Sequence, residues 1–245
     1  MRPVPPQSLA RQLVAGAGRR LVAGAGVVAT LALTNLVAAP RLGRPAAMAW
    51  NLGATGVLLW CGRWARLDLR AVGLEPHDLR RGLAVGSAGA AAVGALMAAA
   101  ASTETGRELL DDDRVVDATW PATLLHVGVF IPFGTVVLEE VAFRGVLPGL
   151  LDPRARSVTA SVVVPALAFG AWHVVSAGDF VAAHEEGDRA TGSVRGIVAA
   201  TTAAGLVLGA ARRAGGHLAA PAMMHLTANA LATVLGRHVG RRRRH

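Results

Sequence analysis

Residues 122–147 read ATLLHVGVFIPFGTVVLEEVAFRGVL. No carboxylate or arginine interrupts this run until Glu139, and then Glu139, Glu140 and Arg144 follow almost together. A helix on the surface of a soluble protein alternates polar and apolar faces turn by turn. This stretch does not, and its length fits the roughly 17–25 residues that a helix needs to cross the hydrocarbon layer. Working outward, comparable apolar runs occupy residues 21–39, 46–61, 82–101, 157–175, 196–211 and 218–235. The chain therefore reads as an all-α, polytopic transmembrane helix bundle of about seven to eight spans.

The bulk composition agrees. Of 245 residues, 53% are hydrophobic and only 17% charged, with a mean hydropathy of +0.43. A soluble domain carries about a quarter charged residues, so a soluble enzyme and a disordered chain are both excluded. The net charge of +9 comes from 25 basic residues that are all Arg, clustered at the ends of the apolar runs. Membrane topology uses basic residues in that way. Aromatic residues make up 4% with no Tyr, so stacking platforms for nucleic-acid bases are absent. The single Cys61 rules out an intrachain disulfide and a multi-cysteine zinc site, and beside an apolar run it reads as packing. The run 21–39 follows Arg19-Arg20 and ends in Val37-Ala38-Ala39, which resembles a cleavage site. It is longer than the roughly 7–15 residues of a signal-peptide core, and we expect a retained first span.

The connectors carry the charge. Residues 62–81 hold Arg63, Arg66, Arg70, Arg80 and Arg81, with Asp78 placed like an N-cap before the next helix. The linkers 102–120 and 176–192 are acidic, the second carrying Asp179, Glu185, Glu186 and Asp188. The Ala/Gly-rich run 82–101 predicts close backbone approach to a neighbouring helix. Arginine counts place the N-terminus, residues 62–81, Arg144, Arg154, Arg156, Arg212 and Arg213 on the inner side, and both acidic linkers outside. Seven spans then leave the Arg241–Arg244 tail outside, against that rule.

Ionisable side chains at membrane depth cost a few kcal/mol or more, and each one is a functional candidate. On a helix Glu140 and Arg144 are i and i+4 and can pair. Glu139, rotated by about 100°, points to a different neighbour, so one carboxylate is structural and the other is free to act as a base. Phe169 and His173 share a face in FGAWH (residues 169–173), as do His225 and Asn229 in HLTAN (residues 225–229). Read singly, each has an ordinary explanation: an interfacial anchor, a helix-end histidine, an interhelical hydrogen bond. Together they supply a carboxylate, two imidazoles and an amide, an inventory suited to peptide-bond hydrolysis. Trp172 reads as an interfacial anchor.

EEVAFR, FGAWH and HLTAN fit the patterns EExxxR, FxxxH and HxxxN, in order and each on its own apolar segment. In this the chain resembles the CPBP family of intramembrane proteases, which comprises CAAX proteases and bacteriocin-processing enzymes and is also called Abi. The resemblance covers about residues 70–235, including VGLEPHDLRRGL in the connector, with the catalytic core in 122–235. It implies three parts: an N-terminal basic segment with two spans (1–69), a protease domain (70–235) and an Arg-rich tail (236–245). It further implies an endopeptidase acting on a membrane-embedded or membrane-tethered peptide or protein, without nucleic acid, in a multi-pass protein of the bacterial plasma membrane.

By that resemblance Glu139 is the water-activating base and His173 its partner at the water. Glu140 and Arg144 form the supporting pair, and His225 and Asn229 stabilise the oxyanion. The family has been described both as metallo- and as glutamate proteases. A divalent metal such as zinc would take Glu139, His173 and His225 as ligands, with an open fourth position; the leaning is towards water activated by the protein alone. His126 reads as a helix-interface residue, and His77, His184, His238 and His245 as solvated. Two competing readings use the same cavity: a non-catalytic scaffold or immunity factor that binds a partner, and a small transporter with a carboxylate proton relay. No repeat symmetry of the transporter kind is visible.

Overall fold

The computed structural model describes residues 6–110, 113–182 and 187–243, and every regular element among them is helical. Seven long helices organise the chain. They are α1 (Pro6–Leu33, prolonged by a π turn at Thr34–Ala38), α2 (Arg44–Trp64), α3 (Leu79–Ser102) and α4 (Trp120–Leu151). Next come α5 (a π turn at Thr159–Val163 running into Val164–Trp172), α6 (Gly187–Gly215) and α7 (Ala219–Arg243). Short helical turns at Leu69–Val72, Glu104–Leu110 and Asp113–Val116 fill the connectors, and Val174–Ala182 continues beyond α5. Asp111, Asp112, His184, Glu185, Glu186, Arg244 and His245 lie outside the described residues.

Five of these helical stretches are long and apolar enough to cross a membrane: Ala15–Ala38, Pro76–Ser102, Trp120–Leu151, Thr159–Gly178 and Ser193–Gly215. The expected spans at 46–61 and 218–235 form helices of sufficient length but fall outside that set. In α2, Asn51 and Thr55 dilute the apolar run, and in α7, His225, Thr227, Asn229 and Thr233 do so. Their polar groups are spent inside the bundle: the Asn51 amide donates to Gly134 O at 2.6 Å, and Trp50 Nε1–H donates to Thr34 Oγ1 at 3.0 Å. The outer surface is apolar instead, with Leu21, Leu96 and Leu124 all more than 60% exposed. In water such patches would be a liability, whereas lipid accepts them.

The connectors gather at two ends. Leu218 N–H donates to Gly73 O, Arg212 to Arg70 O and Arg213 to Ala155 O, which joins the basic loops at one end. At the other, Arg237 Nε donates to Ala118 O at 2.8 Å and Arg241 Nε to Val116 O at 3.2 Å. The start of the arginine tail therefore does lie with the acidic linker. Arg237 is 3% exposed and stacks on Trp120 at 4.1 Å, so its charge is tied down by the Ala118 carbonyl and a ring instead of marking topology.

Helix approach follows from small residues. At Gly86 of α3 an added Cβ would stand 2.8 Å from Met223 Sδ and 3.0 Å from Ala219 O of α7. This is the close packing expected of the 82–101 run. At Gly170 an added Cβ would overlap Thr202 Oγ1 of α6, so α5 and α6 touch through backbone.

Prolines and π turns coincide in the helices that hold the site. A proline removes one N–H and its ring displaces the carbonyl four residues earlier. Pro132, Pro148 and Pro165 each have that carbonyl inside a π turn: His126–Phe130, Val141–Val146 and Thr159–Val163. The widened turn absorbs the clash, and Val141–Val146 directly follows the paired glutamates.

Candidate active site

α4 brings Glu139 and Glu140 into the interior, 6% and 2% exposed, with Arg144 at 3%. Glu139 lies about 18 Å along the helix from Leu151 and about 28 Å from Trp120, at 1.5 Å per residue. The two glutamates separate as their rotation dictates. Glu140 Oε1 accepts from Arg144 Nη1 at 3.0 Å, the expected i,i+4 pair. The same oxygen also lies 2.7 Å from His225 Nδ1 of α7. Glu140 thus joins Arg144 to His225, a cross-helix role that the local sequence did not reveal. A carboxylate oxygen accepts, so Nδ1 carries the proton in this contact, as in other carboxylate–histidine pairs.

Glu139 faces elsewhere. Its Oε1 accepts from Trp172 Nε1–H at 3.2 Å, while Oε2 is 3.7 Å from His225 Nε2 and has no hydrogen-bond partner among the described residues. Trp172 is therefore not the interfacial anchor expected from its type: it is half-buried and tied to the carboxylate, with its ring against Phe143 at 6.0 Å. Indole N–H groups in apolar surroundings take a partner, and here the partner is the candidate base.

His173 stands where α5 breaks. The chain turns at His173, whose backbone N–H reverts to Gly170 O at 3.1 Å and leaves Phe169 O without its helical donor. A broken helix at membrane depth must have its freed carbonyls satisfied from elsewhere. His173 Nδ1 supplies the bond to Phe169 O at 2.8 Å, and Asn35 of the first helical stretch donates to Trp172 O at 2.8 Å. Because a carbonyl only accepts, His173 is the Nδ1–H tautomer in this contact, which leaves the Nε2 lone pair available.

The surround is apolar and aromatic. Phe169 meets Phe143 at 5.3 Å, His173 at 4.6 Å and His225 at 5.9 Å, and the Arg144 guanidinium lies 4.1 Å from its centroid. Leu58, Leu138, Ala142 and Val146 complete a buried shell, and in such a low-dielectric setting charge–charge terms are strong. Asn229 is half-buried one turn beyond His225 on α7.

The six candidate residues thus fall into a gathered group and two flanking ones. Glu139, Glu140, Arg144 and His225 are joined by direct contacts. His173 joins through Phe169 and Trp172, and Asn229 through its position on α7. Among the described residues, no three His, Cys, Asp or Glu side chains form a group that could hold a metal ion. Sequence reasoning missed Trp172 as a partner of Glu139 and Asn35 as the cap of the broken helix. The pattern signal for the first was its place beside His173; for the second there was none.

His126 is half-buried, 6.3 Å from the Phe130 ring, and its Nδ1 has no hydrogen-bond partner among the described residues. His217 accepts from Ala219 N–H at 3.0 Å and so caps the start of α7. Asp78 occupies an N-cap position but caps nothing with its side chain, lying instead 4.0 Å from Arg70 Nε. The helix that does receive an aspartate cap is Leu69–Val72, where Asp68 accepts from Ala71 N–H.

Comparison with curated proteins and with solved structures gives no match. Comparison with protein families gives one, and it spans residues 118–231, a stretch that contains EEVAFR, FGAWH and HLTAN entire. This membrane-embedded segment, with the buried glutamates and both histidines, is similar to the family described as Type II CAAX prenyl endopeptidase Rce1-like.

Proposed function

We propose that the chain is an intramembrane endopeptidase of the glutamate type, with Glu139 as general base. The observation that carries this reading is the division of labour between neighbouring carboxylates. Glu140 Oε1 is bound by both the Arg144 guanidinium and His225, whereas Glu139 is hydrogen-bonded only by the neutral Trp172 N–H; each carboxylate keeps its Oε2 without a hydrogen-bond partner among the described residues.

In the reaction, Glu139 Oε2 takes a proton from a water whose oxygen attacks the scissile carbonyl carbon. His173, with its Nε2 lone pair free, orients that water. The carbonyl π bond opens and negative charge develops on its oxygen, met by His225 Nε2–H and the Asn229 amide. His225 donates from both ring nitrogens in this step, with Nδ1–H held by Glu140 Oε1. When the C–N bond breaks, Glu139 returns its proton to the leaving amine, so water is consumed and no net proton changes hands. Every step uses side chains of this chain.

The substrate class is a peptide or protein tethered to or embedded in the bilayer, cleaved near its surface, in a plasma-membrane setting. The test is a comparison of membrane-protein termini in cells making wild-type protein or Glu139→Gln at matched levels. Termini present only with wild type are expected and would identify the cleavage site. Identical termini would instead point to a scaffold that binds a partner in the same cavity.

A further inference from the structure

At the basic end, away from Glu139 and both site histidines, the helices leave a groove of about 940 Å³ between the Leu69–Val72 turn, the end of α4, the start of α5 and the end of α6. Six arginines and three aspartates line it. The aspartates are engaged within the protein: Asp68 with Ala71 N–H, Asp152 with Ser157 N–H at 2.6 Å, and Asp78 beside Arg70. The arginines are not all so engaged. Arg81 and Arg154 are exposed and have no side-chain partner among the described residues. Arg144 also lines the groove, with Nη1 on Glu140 and Nη2 unpartnered. Beside Ser161, Arg212 and Arg213, the wall formed by residue 158, α5 and α6 has an apolar part, with Val158, Ala210 and Ala214 exposed.

A basic surface joined to an exposed apolar wall at the end of a membrane bundle matches a phosphodiester headgroup with its glycerol and chains alongside. Basic pockets between transmembrane helices are a known mode of anionic lipid recognition, and the volume falls within the range of small-molecule sites. We propose that this groove binds the headgroup of one anionic phospholipid, with Arg81 and Arg154 on the phosphate and the α5–α6 wall against the lipid body. A free phosphate ion would use the arginines and leave the apolar wall idle. The site is independent of proteolysis and reaches it only through Arg144.

The test is native mass spectrometry of the full chain released from micelles of phosphatidylglycerol and phosphatidylcholine in equal amounts. Wild type should retain one phosphatidylglycerol with at least tenfold preference. Arg81→Gln combined with Arg154→Gln should abolish that preference. Arg63→Gln combined with Arg80→Gln removes the same charge from exposed sites on the same connector region outside the groove, and should retain it. Excess inorganic phosphate should not displace the lipid. Absence of a preference, equal loss in both double variants, or displacement by inorganic phosphate would each overturn the proposal.

Discussion

The turn Glu139–Arg144 and the connector Arg70–Asp78 contain the same kind of acid–base pair in opposite settings. Arg144 and Glu140 meet at 3.0 Å with both side chains 2% exposed. Arg70 and Asp78 reach only 4.0 Å, at 70% and 22% exposed. In the connector, water screens each partner and the pair contributes little. In α4, the pair is shut away from water, and other helices supply further partners: His225 to Glu140 Oε1 and Trp172 to the neighbouring Glu139 Oε1. The lesson is that burial, more than the charge pair itself, turns four polar side chains into a site.

That contrast can be broken in order of expected effect. Glu139→Gln removes the proposed base while keeping size and the bond from Trp172, so cleavage should fall by about 10²–10⁴-fold with thermal unfolding unchanged. Arg144→Ala strips Glu140 of its cation and leaves a buried carboxylate dependent on His225 alone. Breaking such a pair costs about 3–5 kcal/mol, so the folded yield in mild detergent should drop sharply. Trp172→Phe keeps the ring against Phe143 and loses only the N–H on Glu139. A hydrogen bond to a charged group is worth about 1.5–3 kcal/mol, and we expect a fall in kcat of about 10–100-fold with a shifted pH profile and near-normal stability. A shift in stability alone would assign Trp172 to packing.

Arg70→Gln, in the exposed pair, should change stability by no more than about 1 kcal/mol. The smallest effect concerns His217, which caps α7 through a ring lone pair. Its pKa lies below its ordinary value because of burial first and the nearby Arg212 second. The folded state therefore prefers the neutral ring. That contribution is complete above the ordinary histidine pKa of about 6.5 and is lost as pH falls below it. Melting curves between pH 7.5 and 5 should show this decline in wild type and a weaker one in His217→Asn, which caps without titrating.

Much of the fold was legible because apolar run length is a property of the chain alone; each of the seven expected runs is helical. The distinction between five strongly apolar helices and the more polar α2 and α7 is likewise one of length and composition; what packing decides is where Asn51 and His225 turn. In the site, Glu140–Arg144 was legible as a one-turn pair, and the separate direction of Glu139 followed from helical rotation. The bond from His225 to Glu140, separated by 85 residues, was not, since i,i+4 reasoning ends at the helix. The turn at His173 is hidden for a similar reason: its freed carbonyls are satisfied by its own ring and by Asn35, 137 residues from Trp172.

The most direct test is cleavage by purified protein in proteoliposomes, using a substrate found from the termini comparison, with wild type and Glu139→Gln matched for melting temperature. Wild type should cleave, and the folded variant should retain at most about a hundredth of that rate. Cleavage by Glu139→Gln at the wild-type rate would contradict the assignment of Glu139 as the base.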